Sequence, residues 1–581
     1  MIVRLSKTIL SFSVVALVLT GFLTGGAAVA VERSAVLSRK DVFHPVFAPN
    51  GMVASQEATA SRIGRDVLKK GGNAVDAAIA VGLALAVTLP RAGNLGGGGF
   101  MLVHMAGSGK TVAIDYREMA PRAAFKDMYL KVDGAVDKKA SRYGYKAVGV
   151  PGTVAGFALA HKKFGSLPWR VLVEPAIALA ENGIAVTDFM ANGLERRRKT
   201  LGKWVSTRAV FFRNGAPVKP GDQLVQKDLA WSLGQIARHG PASFYKGEIA
   251  KRIVRAMKEN GGLIVAADLA AYRPVIREPV RGLYRGVEVV SMPPPSSGGV
   301  HLIQMLNIIE AYDIRKMGPQ SAASLHIMIE AMRRAFADRS KHLGDPAFWE
   351  VPVKGLISKD YSATWRKTID RSAATKSEDV APGEPAPYES PDTTHFTVAD
   401  RFGNFVTNTY TLNFSYGSRV VADGTGILLN NEMDDFSAKP GAPNAFGLVG
   451  GAANAVEPLK RPLSSMTPLI LFKNGKPWLA TGGPGGSRII TNMLHLVVNL
   501  VDHGMNIAEG TVAPRIHHQW LPDTVRVEET LSVDTARLLS GLGHCLKVGR
   551  AMGSTQSIMK MGKGYYGFSD PRRPGALTIG Y

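Results

Sequence analysis

The sequence predicts a layered α/β or α+β architecture. Helical and strand patterns alternate along the chain, glycine-rich turns separate them, and no repeat of fixed period runs through it. With 581 residues, 45% of them hydrophobic, the chain can fill a sizeable core.

The first thirty residues stand apart. Arg4 and Lys7 precede the apolar run Ile9 to Leu23, and GGAAVA follows, with Ala28 and Ala30 at the small-residue positions of signal cleavage. The expected cut is Ala30-Val31, which makes residues 1–30 a signal peptide and the protein an exported one. An uncleaved anchor is the competing reading, but Ser11, Ser13 and Thr20 interrupt a run that is already short. No later stretch keeps about 18 apolar residues together, so no stable membrane span is expected.

Ala58 to Lys70 and Ala74 to Leu89 read as helices, split by Gly71-Gly72-Asn73 and stopped at Pro90. NLGGGGFMLVH then turns into a strand. It lacks the GK[ST] of a phosphate loop and enters a strand where such a loop enters a helix, so its glycines mark close backbone packing. In the middle of the chain Ile303 to Tyr312 and Ala322 to Phe336 are helical patterns, and Val287 to Ser291 is a strand. From about Lys367 to Asp392 the sequence is polar, small and proline-bearing, the composition of an exposed linker. HFTVAD, the turn RFGN and FVTNTYTLN follow as a β-hairpin.

The formal charge is +23. Its basic residues are scattered and carry no RGG, RNP or zinc-finger pattern, which argues against a nucleic-acid partner. The charge reads as surface character suited to anionic substrates or an anionic envelope. The one cysteine, Cys545, lies among apolar residues in LLSGLGHCLKVG; it cannot form an intramolecular disulfide and reads as a packed core thiol.

The junction of linker and hairpin, Asp392-Thr393-Thr394-His395, carries the chemistry. Cleavage before Thr393 would free an amine with a reference pKa of roughly 8, so hydroxyl and general base would sit on one residue. Three residues alone prove little, because threonine pairs begin strands routinely.

TYTLN at 409–413, NNEMDDF at 430–436, KRPLSSMTP at 460–468 and GGPGGSR at 482–488 accompany that junction. In these motifs and their order the chain resembles the γ-glutamyltransferase (γ-glutamyl transpeptidase) family of the bacterial periplasmic type, from near Val53 to Tyr581. The resemblance implies an α+β fold, the four-layer αββα sandwich of N-terminal nucleophile hydrolases. It also implies a proenzyme that cuts itself at Asp392-Thr393. A large subunit, 31–392, and a small catalytic one, 393–581, would stay together as one intertwined heterodimer in the periplasm.

The same resemblance implies the roles. Thr393 is the nucleophile, Thr411 positions its amine, and the N–H groups of Gly485 and Gly486 stabilise the oxyanion. Arg117, with Ser464 and Ser465, holds the α-carboxylate of the γ-glutamyl group, while Asn413, Glu432 and Asp435 receive its α-ammonium. Glutathione and related γ-glutamyl compounds are the implied donors, water and amino acid or dipeptide amines the acceptors, with no cofactor and no metal. KPGAPNAFGLVGG resembles the family's lid over the glutamyl pocket, but Phe446 stands where several relatives have tyrosine. His395, His517 and His518 lack metal-ligand spacing and read as structural. Two alternatives remain open: a glutaryl-type (cephalosporin) acylase of the same fold, and an exported binding protein for γ-glutamyl compounds.

Overall fold

The computed structural model describes residues 41–384, 394–444 and 447–581. The expected signal peptide, Asp392, Thr393 and Phe446 lie outside those residues. Among them, no helix is long and apolar enough to cross a membrane.

Two seven-stranded sheets face each other. In chain order the strands are β1 (Val46–Ala48), β2 (Met52–Ser55), β3 (Gly98–Met105), β4 (Lys110–Tyr116), β5 (Val275–Arg277), β6 (Val280–Tyr284), β7 (Val287–Ser291), β8 (Thr394–Ala399), β9 (Phe405–Thr411), β10 (Leu469–Lys473), β11 (Lys476–Thr481), β12 (Gln556–Met561), β13 (Gly564–Ser569) and β14 (Leu577–Gly580). The first sheet runs β14-β2-β8-β9-β3-β4-β5 and the second β1-β13-β12-β11-β10-β7-β6. Helices α1 (Ala58–Lys69), α2 (Ala74–Thr88) and α3 (Thr153–Phe164) cover the first; α4 (Gly298–Ile309), α5 (Ala322–His342) and α6 (Arg488–Val501) cover the second.

Side-chain alternation builds these four layers. Val53, Met101, Val103, Phe396 and Val398 join the helices over the first sheet, while Met52, Ala54, Phe100 and Leu102 face the other sheet with Val290, Ile470 and Ile558. Val289, Leu471 and Leu479 then turn outward to α4, α5 and α6. Neighbouring positions on one strand therefore serve different cores. The expected αββα sandwich is what forms.

The hairpin forms as β8 and β9, with Thr394 opposite Tyr410 and Ala399 opposite Phe405. Asp400 closes its turn by accepting from the Phe402 and Asn404 amides at 2.9 and 3.0 Å, and its other oxygen accepts from the Ala74 amide at the start of α2. Asn73 and Asp76 complete a capping box there. The glycine run packs as expected: a Cβ on Gly97 would lie 1.8 Å from the Thr411 carbonyl and one on Gly99 2.5 Å from that of Thr409.

Two expectations need correction. Cys545 is exposed, because it precedes a short edge strand, Leu546–Gly549, whose residues are at most half-buried. The segment 367–384 is not a loose linker. Ser377 and Val380 are buried, the Trp520 indole N–H donates to the carbonyls of both, and Gly383 is held through its amide by Asp338 and through its carbonyl by His342, each at 2.8 Å. Its polar composition was matched by partners on the body of the protein.

Candidate active site

Antiparallel register gathers the expected residues at one end of the first sheet. Thr394 opens β8, Thr411 closes β9 opposite Gly98, and Tyr116 closes β4 opposite Gly99, so Arg117 emerges beside them. Gly482, after β11, lies against the His395 ring, which brings the GGPGGSR loop to the same end. Residues up to 346 positions apart thereby meet.

Arg117 is fully buried and has two kinds of partner, carboxylates and backbone carbonyls. Its guanidinium pairs with Glu432, with Asp435 at 2.6 Å and with Glu118 at 3.6 Å. It also donates to the carbonyls of Pro462 and Leu463 at 3.1 and 3.0 Å, next to the buried Ser464 and Ser465. Asn454 locks this arrangement, donating to the Asp435 carbonyl at 2.7 Å and accepting from the Leu463 amide at 3.2 Å. Glu432 and Asp435 share a short 3-10 turn whose entry is fixed by Asn430, which accepts from the Glu432 amide and donates to the Gly96 and Gly149 carbonyls.

Three carboxyls thus compete for one guanidinium inside the protein. Burial pulls the Arg117 pKa down, but Glu432, Asp435 and Glu118 outweigh it and keep the group charged. Burial pushes Glu118 up to about 7, with Arg117 only partly opposing. Glu432 is raised well above the carboxylate range by burial, partly offset by Arg117; Asp435 is raised likewise by burial and by Glu432. The set is acidic in excess and holds protons near neutrality. One oxygen each of Glu432 and Asp435, and both of Glu118, have no hydrogen-bond partner among the described residues.

Asn413, at φ +70°, has no donor to its buried Oδ1 among the described residues, while its Nδ2 donates to the Asn431 carbonyl at 3.0 Å. Thr411 Oγ1 accepts from the Asn413 amide at 2.7 Å. Gly485 and Gly486 take φ values of +146° and +69°, which side chains disfavour, just before α6. Neither amide donates to another described residue. Two unengaged amides at a helix N-terminus can hold a developing negative charge.

The histidines serve packing. His395, fully buried, bonds the hydroxyls of Thr409 and Thr397 at 2.8 and 2.9 Å, and burial lowers its pKa to about 3, so it is neutral. His517 turns to Ser487, Thr491 and Gln519, and His518 to Asp523 at 3.0 Å. His326, Glu330 and His544 lie close enough to hold an ion, but the imidazoles bond each other at 2.8 Å and Glu330 is already paired with Arg333 and Arg334.

Sequence reasoning missed Glu118 as part of the charged set, and Asn430 and Asn454 as its supports. Glu118 directly follows Arg117, and in sequence an adjacent Arg-Glu pair is indistinguishable from a surface ion pair. Only burial distinguishes the two situations.

The gamma-glutamyltranspeptidase family model matches residues 60–580. A glutathione hydrolase proenzyme of Escherichia coli (strain K12) is 55% identical over 548 residues, covering 93% of this chain and 94% of that one. Among solved structures, a cephalosporin acylase from Bacillus halodurans superposes with a TM-score of 0.83 at 30% identity, covering 95% and 98% of the two chains. A gamma-glutamyltranspeptidase from Helicobacter pylori gives 0.56 at 45% identity, over 60% of this chain and 97% of that one.

Proposed function

Because the chain belongs to the gamma-glutamyltranspeptidase family, we propose that it is a self-processing glutathione hydrolase and γ-glutamyltransferase with Thr393 as its nucleophile. The observation that carries this reading is the buried set Arg117, Glu432 and Asp435 at the end of the sheet where β8 begins. A γ-glutamyl head bears one carboxylate and one ammonium. It can insert into an existing ion pair by exchange, its carboxylate taking Arg117 and its ammonium taking the released acids. No net charge is buried in that exchange.

In maturation, Thr393 Oγ attacks the Asp392 carbonyl. The peptide nitrogen leaves that carbon as the new α-amine, and water hydrolyses the resulting ester, giving subunits 31–392 and 393–581. In turnover the same oxygen attacks the γ-glutamyl carbonyl, its proton passing to the α-amine and on to the leaving amine. Gly485 and Gly486 stabilise the tetrahedral oxygen, and Thr411 holds the amine in place. Water then releases glutamate, or an amino acid or dipeptide amine takes the γ-glutamyl group. Residues 1–30 direct export.

The acylase alternative has a structural relative in its favour. A glutaryl side chain, however, has no ammonium for Glu432 and Asp435 to receive. A binding protein would need neither nucleophile nor cleavage. The test is a denaturing gel of the purified protein with γ-glutamyl-p-nitroanilide hydrolysis, with and without glycylglycine. Two bands and γ-glutamyl release are expected; a single inactive band would refute the proposal.

A further inference from the structure

A cavity of about 360 Å³ lies beside Tyr416, three residues beyond Asn413. That volume falls in the range of about 300–1,000 Å³ typical of small-molecule sites. Phe189 and Met190 belong to its apolar wall; Gln56, Thr88, Arg91 and Tyr416 form a polar one. Gln56 Nε2, Thr88 Oγ1 and the Tyr416 hydroxyl are buried and have no hydrogen-bond partner among the described residues. Orphaned groups of this kind call for a polar ligand.

Positive charge surrounds the same tyrosine without acidic relief. Arg91 donates to Ser415 Oγ at 3.1 Å and stands 5.1 Å over the Phe189 ring. Arg197 stands 5.9 Å over the Tyr416 ring, and Arg419 donates to the Ser415 and Gly417 carbonyls. Among the described residues, none of these three arginines has a carboxylate partner. Burial, reinforced by Arg573, draws Arg91 down to about 10, and burial with Arg197 does the same to Arg419. The acid at the cavity, Glu57, is already engaged, accepting from the Thr59 and Ala60 amides at the start of α1 at 2.8 and 2.9 Å.

The cavity adjoins the reacting end of the molecule. Gln56 follows Ser55, which pairs with Phe396 near the start of β8. Arg573, whose charge acts on Arg91, is itself acted on by Arg488, and Arg488 Nε donates to the Gly485 carbonyl at 3.0 Å. A row of cations leads from the cavity to the paired glycines.

We propose that this cavity is the subsite for the peptide end of the reaction, with Arg91, Tyr416 and Gln56 binding the free carboxylate of a short peptide. The proposal rests on the γ-glutamyl reading above. That carboxylate has two sources, the peptide leaving glutathione and a dipeptide acceptor.

Paired substrates separate them. Glutathione carries the carboxylate in its leaving group and γ-glutamyl-p-nitroanilide does not; glycylglycine carries it as an acceptor and glycylglycinamide does not. A hydrogen bond to a charged group is worth about ten- to a hundredfold. Arg91→Gln should therefore lower the kcat/KM ratio of glutathione to the anilide by about that factor if the leaving peptide binds here. If the acceptor binds here, the half-saturating concentration of glycylglycine rises by the same factor relative to glycylglycinamide. Arg91→Lys should recover part of either shift, and Tyr416→Phe, which keeps the charge, should give a smaller shift in the same direction. Both ratios within twofold of wild type in active Arg91→Gln enzyme would overturn the subsite, as would both ratios unchanged in Tyr416→Phe enzyme should Arg91→Gln fail to fold. Wild-type enzyme with no anilide hydrolysis would overturn the γ-glutamyl reading and the subsite with it.

Discussion

Glu118→Gln should make the protein more stable at alkaline pH while leaving it unchanged in mild acid. Glu118 is fully buried, 3.6 Å from the Arg117 guanidinium, and burial raises its pKa from 4.5 to about 7. A carboxyl whose pKa is higher folded than unfolded binds its proton more tightly in the folded chain. It therefore favours folding at low pH and opposes it as pH rises, the penalty growing from about 4.5 and becoming complete above about 7. At about 1.36 kcal/mol per tenfold step the full penalty is about 3 kcal/mol. Glutamine mimics the protonated acid and can donate to Glu432, so it escapes the penalty. With an unfolding entropy of roughly 2 cal/mol/K per residue, a chain of this length gains about 1 °C per kcal/mol. Thermal midpoints of the processed enzyme at pH 5 to 8.5 test this: coincidence within about 1 °C at pH 5, and a variant about 3 °C higher above pH 8. A difference independent of pH, or a less stable variant at pH 8, would refute the assignment of an excess buried carboxyl.

Thr393→Ala should remain one uncut chain without γ-glutamyl hydrolysis, and Thr393→Ser should keep some of both activities; two bands from Thr393→Ala would end the self-processing account. Asp435→Ala should impair γ-glutamyl-p-nitroanilide by tens- to thousandsfold, about 2–5 kcal/mol, and glutaryl-p-nitroanilide much less. Equal impairment would mean that Asp435 does not receive the ammonium. Arg117→Ala strands buried carboxyls, so it should lower the thermal midpoint as well as binding, most at high pH where those carboxyls ionise. Phe446→Tyr restores one hydroxyl, a hydrogen bond worth about 0.5–1.5 kcal/mol, and should raise the ratio of transfer to hydrolysis; an unchanged ratio would remove residue 446 from any gating role.

Local pattern carried the hairpin, the capped helix α2 and the glycine run, because each depends on neighbours within a few residues. Strand β8 shows where such reading stops. His395 to Val398 alternate polar and apolar, as a half-exposed strand does, yet all six residues of the strand are buried. His395 and Thr397 face the second sheet, where each is satisfied by hydrogen bonds. Alternation reveals that two faces differ, and not what covers them.

By itself the sequence determined the order of elements, a layered α/β or α+β class and the motifs whose residues now stand together, since periodicity, turn chemistry and motif order are written along the chain; the αββα sandwich was implied by the family resemblance those motifs carry. Only the tertiary structure decided that Arg117 pairs directly with Glu432 and Asp435, that Glu118 joins them, that the 367–384 segment docks on the body and that Cys545 is exposed. Charge pairing and burial are properties of contacts between distant segments. Their energies depend on the local dielectric, which exists only once the sheets have closed over the site.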